Sequence, residues 1–277
     1  MNIGTVSAAS IAGMAFSLIV SVGLPVALFI YGWKKLGARV SSFFIGCAVF
    51  YLVARVIEPM VHSFMLSATG DKITGNIVLL AIYGGLVAAV FEEGGRLIAM
   101  KSLIKELDLD NAFMYGAGHG GFEAILLIAT TMFINILNSL LINNGWMAES
   151  LASLDAETAL STFNTISLLW TTPSIDFFFS GIERALAMTL HICLSILVFW
   201  SIRRNNKRYL LMAYAGHFLV DAVAVLTQGY ATVAVTELVT AIMTGALVML
   251  TVRICKEENA PDDAGAPPMN FHFNPDV

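Results

Sequence analysis

Seven long apolar runs limit what this chain can fold into more than any other feature. An α-helix needs about 20 residues to cross the hydrocarbon core of a bilayer, and every run is close to or above that length. We place them at residues 9–32, 40–66, 76–101, 111–141, 176–201, 209–228 and 232–254. The whole chain is 57% hydrophobic and 13% charged, whereas soluble domains are about 45–50% apolar and 25% charged. The sequence therefore predicts an all-α, polytopic bundle of about seven transmembrane helices.

The basic residues predict how these spans are oriented. If the N-terminus lies outside, eleven Lys and Arg residues fall at cytoplasmic span ends and only Lys72 falls outside. The eleven are Lys34, Lys35, Arg39, Lys101, Lys105, Arg203, Arg204, Lys207, Arg208, Arg253 and Lys256. Cytoplasmic loops carry an excess of Lys and Arg, and an even number of spans would remove the bias. We therefore expect an outer N-terminus and a cytoplasmic C-terminus.

The runs and the segments between them predict one transmembrane helical domain over residues 1–254. Residues 255–277 are polar and proline-rich, which is typical of a disordered tail. The outer segment 142–175 is expected to be a covering loop; the alternative is a short helix, since Met147, Leu151 and Leu154 would share a face. No basic run with interleaved aromatic residues occurs, so nucleic acid is not an expected partner. We expect an integral protein of a bacterial plasma membrane, acting on a membrane-protein or peptide substrate.

Six of the predicted spans contain ionisable side chains, which cost several kcal/mol in a bilayer unless they are paired or hydrated. In chain order they are Arg55, Glu58 and His62; Glu92, Glu93 and Arg96; His119 and Glu123; Glu183, Arg184 and His191; His217 and Asp221; and Glu237. Such residues are functional candidates by default. We interpret Arg55–Glu58 as a buried structural ion pair, Glu237 as structural, and Arg96 and Arg184 as neutralising the acids beside them.

The spacing of these residues predicts that they meet. Three pairs are four residues apart, which puts each pair on one helix face and within reach: Glu92–Arg96, His119–Glu123 and His217–Asp221. Glu183 and His191 are two turns apart on another face. Glu92 and three of the histidines, His119, His191 and His217, lie about 12–15 Å from their cytoplasmic span ends at a rise of 1.5 Å per residue. We expect Glu92 or Glu93 and the three histidines to face one cavity that opens toward the cytoplasm.

Two kinds of chemistry fit such a cluster. A glutamate beside a histidine can take a proton from water, while a second histidine donates to the oxyanion of the tetrahedral intermediate. A zinc ion held by His119, His191 and His217, with a glutamate as base, would serve the same reaction. No HExxH motif occurs in the chain. The sequence therefore slightly favours catalysis without a metal and keeps zinc as the alternative.

The order of the motifs resembles that of one membrane-protein family. EEGGR at 92–96, HGGFE at 119–123, ERALAMTLH at 183–191 and HFLVD at 217–221 are similar to motifs of the YhfC family of intramembrane proteases. That family resembles the CAAX-prenyl-protease and bacteriocin-processing (CPBP, PrsW-like) superfamily, whose pattern is EExxxR, FxxxH and HxxxN or HxxxD. The resemblance covers about residues 85–225, which would be the catalytic core.

The resemblance implies an intramembrane endopeptidase that uses a glutamate- and histidine-activated water. Glu92 would be the water-activating glutamate with His119 beside it, and Glu93 and Arg96 would complete the first motif. His217 and Asp221 would stabilise the oxyanion. Glu123, Glu183, Arg184 and His191 would be supporting residues.

Two other functions remain open at this point. The same superfamily resembles a seven-span scaffold subunit of gamma-secretase, so the chain could be a scaffold or substrate-binding subunit without activity. Glutamate and histidine chains also relay protons in transporters. The sequence contains no inverted repeat and no pair of Gly/Pro-broken spans in corresponding halves, features typical of transporters.

Overall fold

The computed structural model of the protein describes residues 2–258. Within that range seven helices are long and apolar enough to cross a membrane, and we number them spans 1 to 7. They are Ala8–Lys34, Val40–Thr69, Ile77–Ser102, Leu109–Asn143, Ser174–Arg203, Lys207–Tyr230 and Val233–Glu258. The described residues contain no strand. The predicted all-α bundle of seven spans is confirmed.

The ends of the spans lie close to their predicted positions. The largest difference is at the end of span 7, which runs to Glu258 rather than to residue 254. Residues 255–258, predicted as part of the tail, are therefore helical. The rest of the predicted tail, including His272, lies outside the described residues.

The outer segment is helical, so the expectation of a covering loop was wrong. It contains the helices Trp146–Ala152 and Ala156–Thr171. Asp155 caps the second helix, because its side chain accepts hydrogen bonds from the backbone N–H groups of Glu157 and Thr158. These bonds, chiefly those from Thr158, lower the pKa of Asp155. Capping and burial of the apolar face that includes Met147 and Leu151 explain why the segment folds.

Two of the spans contain a π-helical turn. Span 2 has one at Val53–Ile57, and span 4 has one at Ile125–Ala129. A short helix, Asp71–Thr74, follows span 2. Since π-turns carry one extra residue per turn, they rotate the side chains that follow, and they are frequent at functional sites.

By its internal contacts the chain divides into two units, each with its own core. One unit takes residues 25–123 and 186–258, and the other takes 2–24 and 124–185. The core of the first is built around Leu194, Leu197, Phe199 and Trp200, which are fully buried. The core of the second includes Met14, Met132, Ile166 and Leu169. The candidate site described below lies within the first unit.

Candidate active site

Three histidines from three different spans come together in the buried interior of the first unit. His119 lies on span 4, His191 on span 5 and His217 on span 6. The ring centroids of His119 and His191 are 4.6 Å apart, and those of His191 and His217 are 5.4 Å apart. All three side chains are buried. The structure thus groups the histidines that the sequence placed at a common depth.

Glycines allow the helix backbones around the cluster to approach closely. A Cβ atom at Gly118 would meet the carbonyl oxygen of Phe43 on span 2, and one at Gly120 would lie 3.2 Å from the Cβ atom of His191. A Cβ atom at Gly46 would meet the backbone of Tyr115 and His119. Small residues in membrane helices permit this packing. It places His119 against spans 2 and 5.

Glu92 forms the carboxylate edge of the cluster. Its Oε2 atom lies 2.8 Å from Nε2 of His119. Ligand atoms of Glu92, His119 and His191 all lie within 4.8 Å of one another. The Glu92 side chain is 10% exposed, whereas that of Glu93 is fully buried. Of the two adjacent glutamates, Glu92 is therefore the one that a water molecule or an ion can reach.

Glu93 is held by an arginine and a histidine. Nη1 of Arg96 donates to both carboxylate oxygens of Glu93, at 2.5 and 2.6 Å. Nδ1 of His217 lies 2.9 Å from Oε1 of Glu93. Both carboxylate oxygens are thus engaged, as a fully buried charge requires. This geometry makes Glu93 a residue that positions Arg96 and His217.

Arg96 also fixes the orientation of His191. Nη2 of Arg96 lies 2.9 Å from Nδ1 of His191. A guanidinium can only donate, so Nδ1 of His191 accepts. The other ring nitrogen, Nε2, lies 2.7 Å from Oε2 of Glu123. His191 therefore presents Nε2 to the part of the cluster that contains carboxylates.

His217 lies between two acids. While Nδ1 faces Glu93, Nε2 lies 3.3 Å from Oδ2 of Asp221. The Asp221 side chain is 34% exposed, and its contact with the ring is the longer of the two. Nε2 is therefore the nitrogen of His217 that can turn from Asp221 to a substrate atom.

Only one of the three predicted contacts between residues four apart is present. His217 contacts Asp221, but His119 contacts Glu92 of span 3, and Glu123 contacts His191 of span 5. Arg96 pairs with Glu93 and not with Glu92. For His119 and Glu123 a contact with a neighbouring span thus replaces the expected contact within span 4, whereas Arg96 stays within span 3 and pairs with a different glutamate.

The remaining candidates lie elsewhere or are arranged differently. Arg184 pairs with Glu183, as expected for a neutralising arginine, and both belong to the second unit. The prediction of an ion pair between Arg55 and Glu58 was wrong. Glu58 is buried and Arg55 is exposed, and no ion pair among residues 2–258 joins the two side chains.

Glu58 is the candidate that the spacing argument missed. Its electrostatic neighbours include Glu92, His217 and Asp221, which are all residues of the cluster. These neighbours lie on spans 3 and 6, so no spacing along span 2 could have revealed their proximity to Glu58. Glu58 directly follows the π-helical turn Val53–Ile57, and its side chain is buried.

The donor groups of the cluster fit a metal ion. Two imidazoles and one carboxylate are a ligand set found at catalytic zinc sites, where a fourth position stays open. Nδ1 of His119 is buried and has no hydrogen-bond partner among the described residues. The set that converges is Glu92, His119 and His191. It differs from the three-histidine set suggested by the sequence, because both nitrogens of His217 face carboxylates.

Comparison with known proteins agrees with the motif order. The model of the family described as YhfC intramembrane metalloprotease matches residues 19–243, most of the chain. The chain belongs to the YhfC family. A relative from Bacillus subtilis (strain 168), called uncharacterized membrane protein YhfC, is 32% identical over 226 residues, covering 80% of this chain and 87% of its own length. The YhfC resemblance seen in the sequence is therefore confirmed, as is the membrane location. No solved structure matches the chain significantly.

Proposed function

We propose that this YhfC protein is an intramembrane endopeptidase that hydrolyses peptide bonds of membrane-embedded substrates. The observation that carries the proposal is the buried group of Glu92, His119 and His191, formed by three membrane spans. The description of the family as a metalloprotease supports it. Ionisable groups inside spans generally mark functional sites.

Within this proposal, Glu92, His119 and His191 hold a zinc ion. The sequence alone slightly favoured a metal-free site, but the convergence of a carboxylate with two imidazoles and the unpartnered Nδ1 atom of His119 favour the metal. Bound zinc would supply Lewis acidity that polarises a peptide carbonyl. Arg96 donates to Nδ1 of His191, so His191 would bind through Nε2, which would have to release its proton on metal binding and leave an imidazolate beside the Arg96 guanidinium.

The other polar residues of the cluster handle protons and charge. Glu123 lies 2.7 Å from His191 and its side chain is 15% exposed, so we assign it proton transfer to and from water. Nε2 of His217 donates to the oxyanion, while Glu93 holds the ring in place through Nδ1. Asp221 keeps His217 oriented when no substrate is bound.

The proposal is tested by measuring metal content and hydrolysis on the same purified variants. The substrate probe is a reconstituted transmembrane peptide of about 20 residues with a fluorophore and a quencher at its two ends. The wild-type protein is expected to carry one zinc ion per chain and to cleave the probe. Glu92→Gln and His119→Ala should lose zinc and activity together. Glu123→Gln should keep zinc and lose activity about 10²- to 10⁴-fold.

Glu106→Gln is the matched control, because Glu106 is an exposed glutamate outside the spans and should change neither quantity. If zinc-free protein cleaves the probe in the presence of strong chelators, the assignment of a zinc site is refuted, and hydrolysis by a glutamate-activated water without a metal is favoured. Zinc-loaded protein that cleaves neither this probe nor its variants with other central residues would refute the protease.

A further inference from the structure

An arginine on span 2 lies exposed at mid-membrane. Arg55 is 15 residues from Val40 and 14 from Thr69, the two ends of span 2. At 1.5 Å per residue it is about 20 Å from either end, near the centre of a bilayer core of about 30 Å. Its side chain is exposed, and no hydrogen bond or ion pair joins it to another of residues 2–258.

This placement is energetically unfavourable in lipid alone. Charged side chains within spans almost always pair, face the interior of the bundle or line a hydrated cavity. Long basic side chains reach the phosphate level by snorkelling only near helix ends. Because Arg55 is at the middle of its span, a lipid phosphate is not the anion that its depth favours.

The surface around Arg55 is apolar and helical. Tyr51, Leu52, Val56 and Met60 are all exposed on the same face of span 2. Tyr51 and Leu52 lie one turn before Arg55 and Val56, and Met60 one turn after Val56. We call this set, with Arg55, the Arg55 face. A second transmembrane helix could pack on it, with a carboxylate opposite the guanidinium.

The Arg55 face belongs to the same helix as a residue of the candidate site. Glu58, three residues further along, is buried and has Glu92, His217 and Asp221 as electrostatic neighbours. The π-helical turn Val53–Ile57 contains Arg55 and ends before Glu58. Span 2 thus presents a cation to its exposed side and a buried acid on the side of the cluster within one turn.

We propose that the Arg55 face docks a substrate's transmembrane segment that carries an aspartate or glutamate near the middle of the bilayer. The choice of substrate as occupant rests on the proposed protease function. Charge complementarity at a depth without lipid phosphate selects a carboxylate, and the apolar surroundings select a membrane helix. The face would then bring the segment to the span that also supplies Glu58.

The test measures docking by photo-crosslinking, which does not require hydrolysis. The full chain carries a photoreactive residue at Met60 and is reconstituted in zwitterionic vesicles. The probes are two alanine–leucine transmembrane peptides of about 20 residues, with Glu or Gln at the centre. The Glu peptide should label position 60 about tenfold more than the Gln peptide, as expected for one polar contact between membrane helices.

Two variants and one control position make the test specific. Arg55→Gln should label equally with both peptides, and Arg55→Glu should instead prefer a peptide with a central Lys. A photoreactive residue at Ile242, an exposed position of span 7, should show no preference for the Glu peptide. The charge-swapped preference shows that the variant protein is folded and that the contact is direct.

The outcomes separate this inference from the proposed function. Equal labelling by the Glu and Gln peptides, or a preference that persists in Arg55→Gln, would overturn the inference even if the protein cleaves its probe. If labelling depends on anionic lipid and not on the charge of the peptide, Arg55 binds a lipid phosphate, and the inference is also overturned. A zinc-loaded protein that prefers the Glu peptide but cleaves neither the fluorogenic probe nor its variants would support docking of an acidic transmembrane segment while refuting the protease.

Discussion

At the scale of single residues, the surroundings of Glu92 and Glu93 separate their roles. Successive residues on a helix point about 100° apart, so two adjacent glutamates cannot share one environment. Glu92 faces His119 at the edge of the cluster, while Glu93 lies among Arg96 and His217 with no exposed surface. The first is therefore suited to bind a ligand and the second to hold other residues.

The Glu93–Arg96 pair leads to a prediction about stability. Glu93→Gln leaves the buried guanidinium of Arg96 without its neutralising carboxylate. Breaking such a pair by removing one partner costs about 3–5 kcal/mol. We expect the purified variant to unfold at a clearly lower temperature or denaturant concentration than the wild-type protein, as followed by tryptophan fluorescence.

An exposed ion pair provides the control for that measurement. Arg39 donates to Glu106 at the protein surface, and this hydrogen bond lowers the pKa of Glu106. Both groups are solvated, so Glu106→Gln should leave the unfolding midpoint nearly unchanged. If Glu93→Gln and Glu106→Gln destabilise the protein to a similar extent, the prediction that the buried pairing of Glu93 with Arg96 stabilises the fold is contradicted.

At the scale of helices, close approach between spans 2 and 4 positions His119. Gly118 lies against the backbone of Phe43, and Gly46 lies against the backbone of Tyr115 and His119. Backbone atoms cannot move aside as the end of a flexible side chain can. The two helices must therefore separate if either glycine gains a side chain.

This packing predicts different effects for two glycine substitutions. Gly118→Ala should lower stability and reduce any activity, because the new methyl group displaces span 4 and His119 with it. Gly84→Ala on span 3 meets no atom within 4 Å, and alanine is a better helix former by about 1 kcal/mol. Gly84→Ala should therefore be neutral or slightly stabilising. Thermal unfolding and zinc content of both variants check this, and an intact zinc site in a fully stable Gly118→Ala protein would contradict it.

At the scale of the whole molecule, the distribution of basic residues predicts the topology. The N-terminus is expected outside and the C-terminus in the cytoplasm, because Lys and Arg accumulate at one set of span ends. A reporter enzyme that is active only outside the membrane should be active when inserted at Ser153, between the two outer helices. It should be inactive when inserted at Asn205, in the turn between spans 5 and 6. The reverse pattern would invert the orientation.

The sequence by itself determined the spans and singled out the residues of the cluster, apart from Glu58. A run of about 20 apolar residues must form a helix across the bilayer, since unpaired backbone groups cannot remain in lipid. The boundary of each span follows from this requirement together with the charged residues at its ends. For the same reason, the polar residues inside the spans were recognisable as a set. The relation to the wider CPBP superfamily stays a prediction.

Only the tertiary structure decided which of these residues contact one another. Spacing along one helix correctly indicated His217–Asp221, but it also indicated Glu92–Arg96 and His119–Glu123, which do not form. Glu92, His119 and His191 converge because glycines let spans 4 and 5 approach each other closely. The distance between these two spans depends on packing between helices. Packing also decides the surroundings of Arg55 and Glu58, which are three residues apart. It buries Glu58 and leaves Arg55 exposed. A local pattern cannot encode these contacts, because each involves atoms that only the folded bundle brings together.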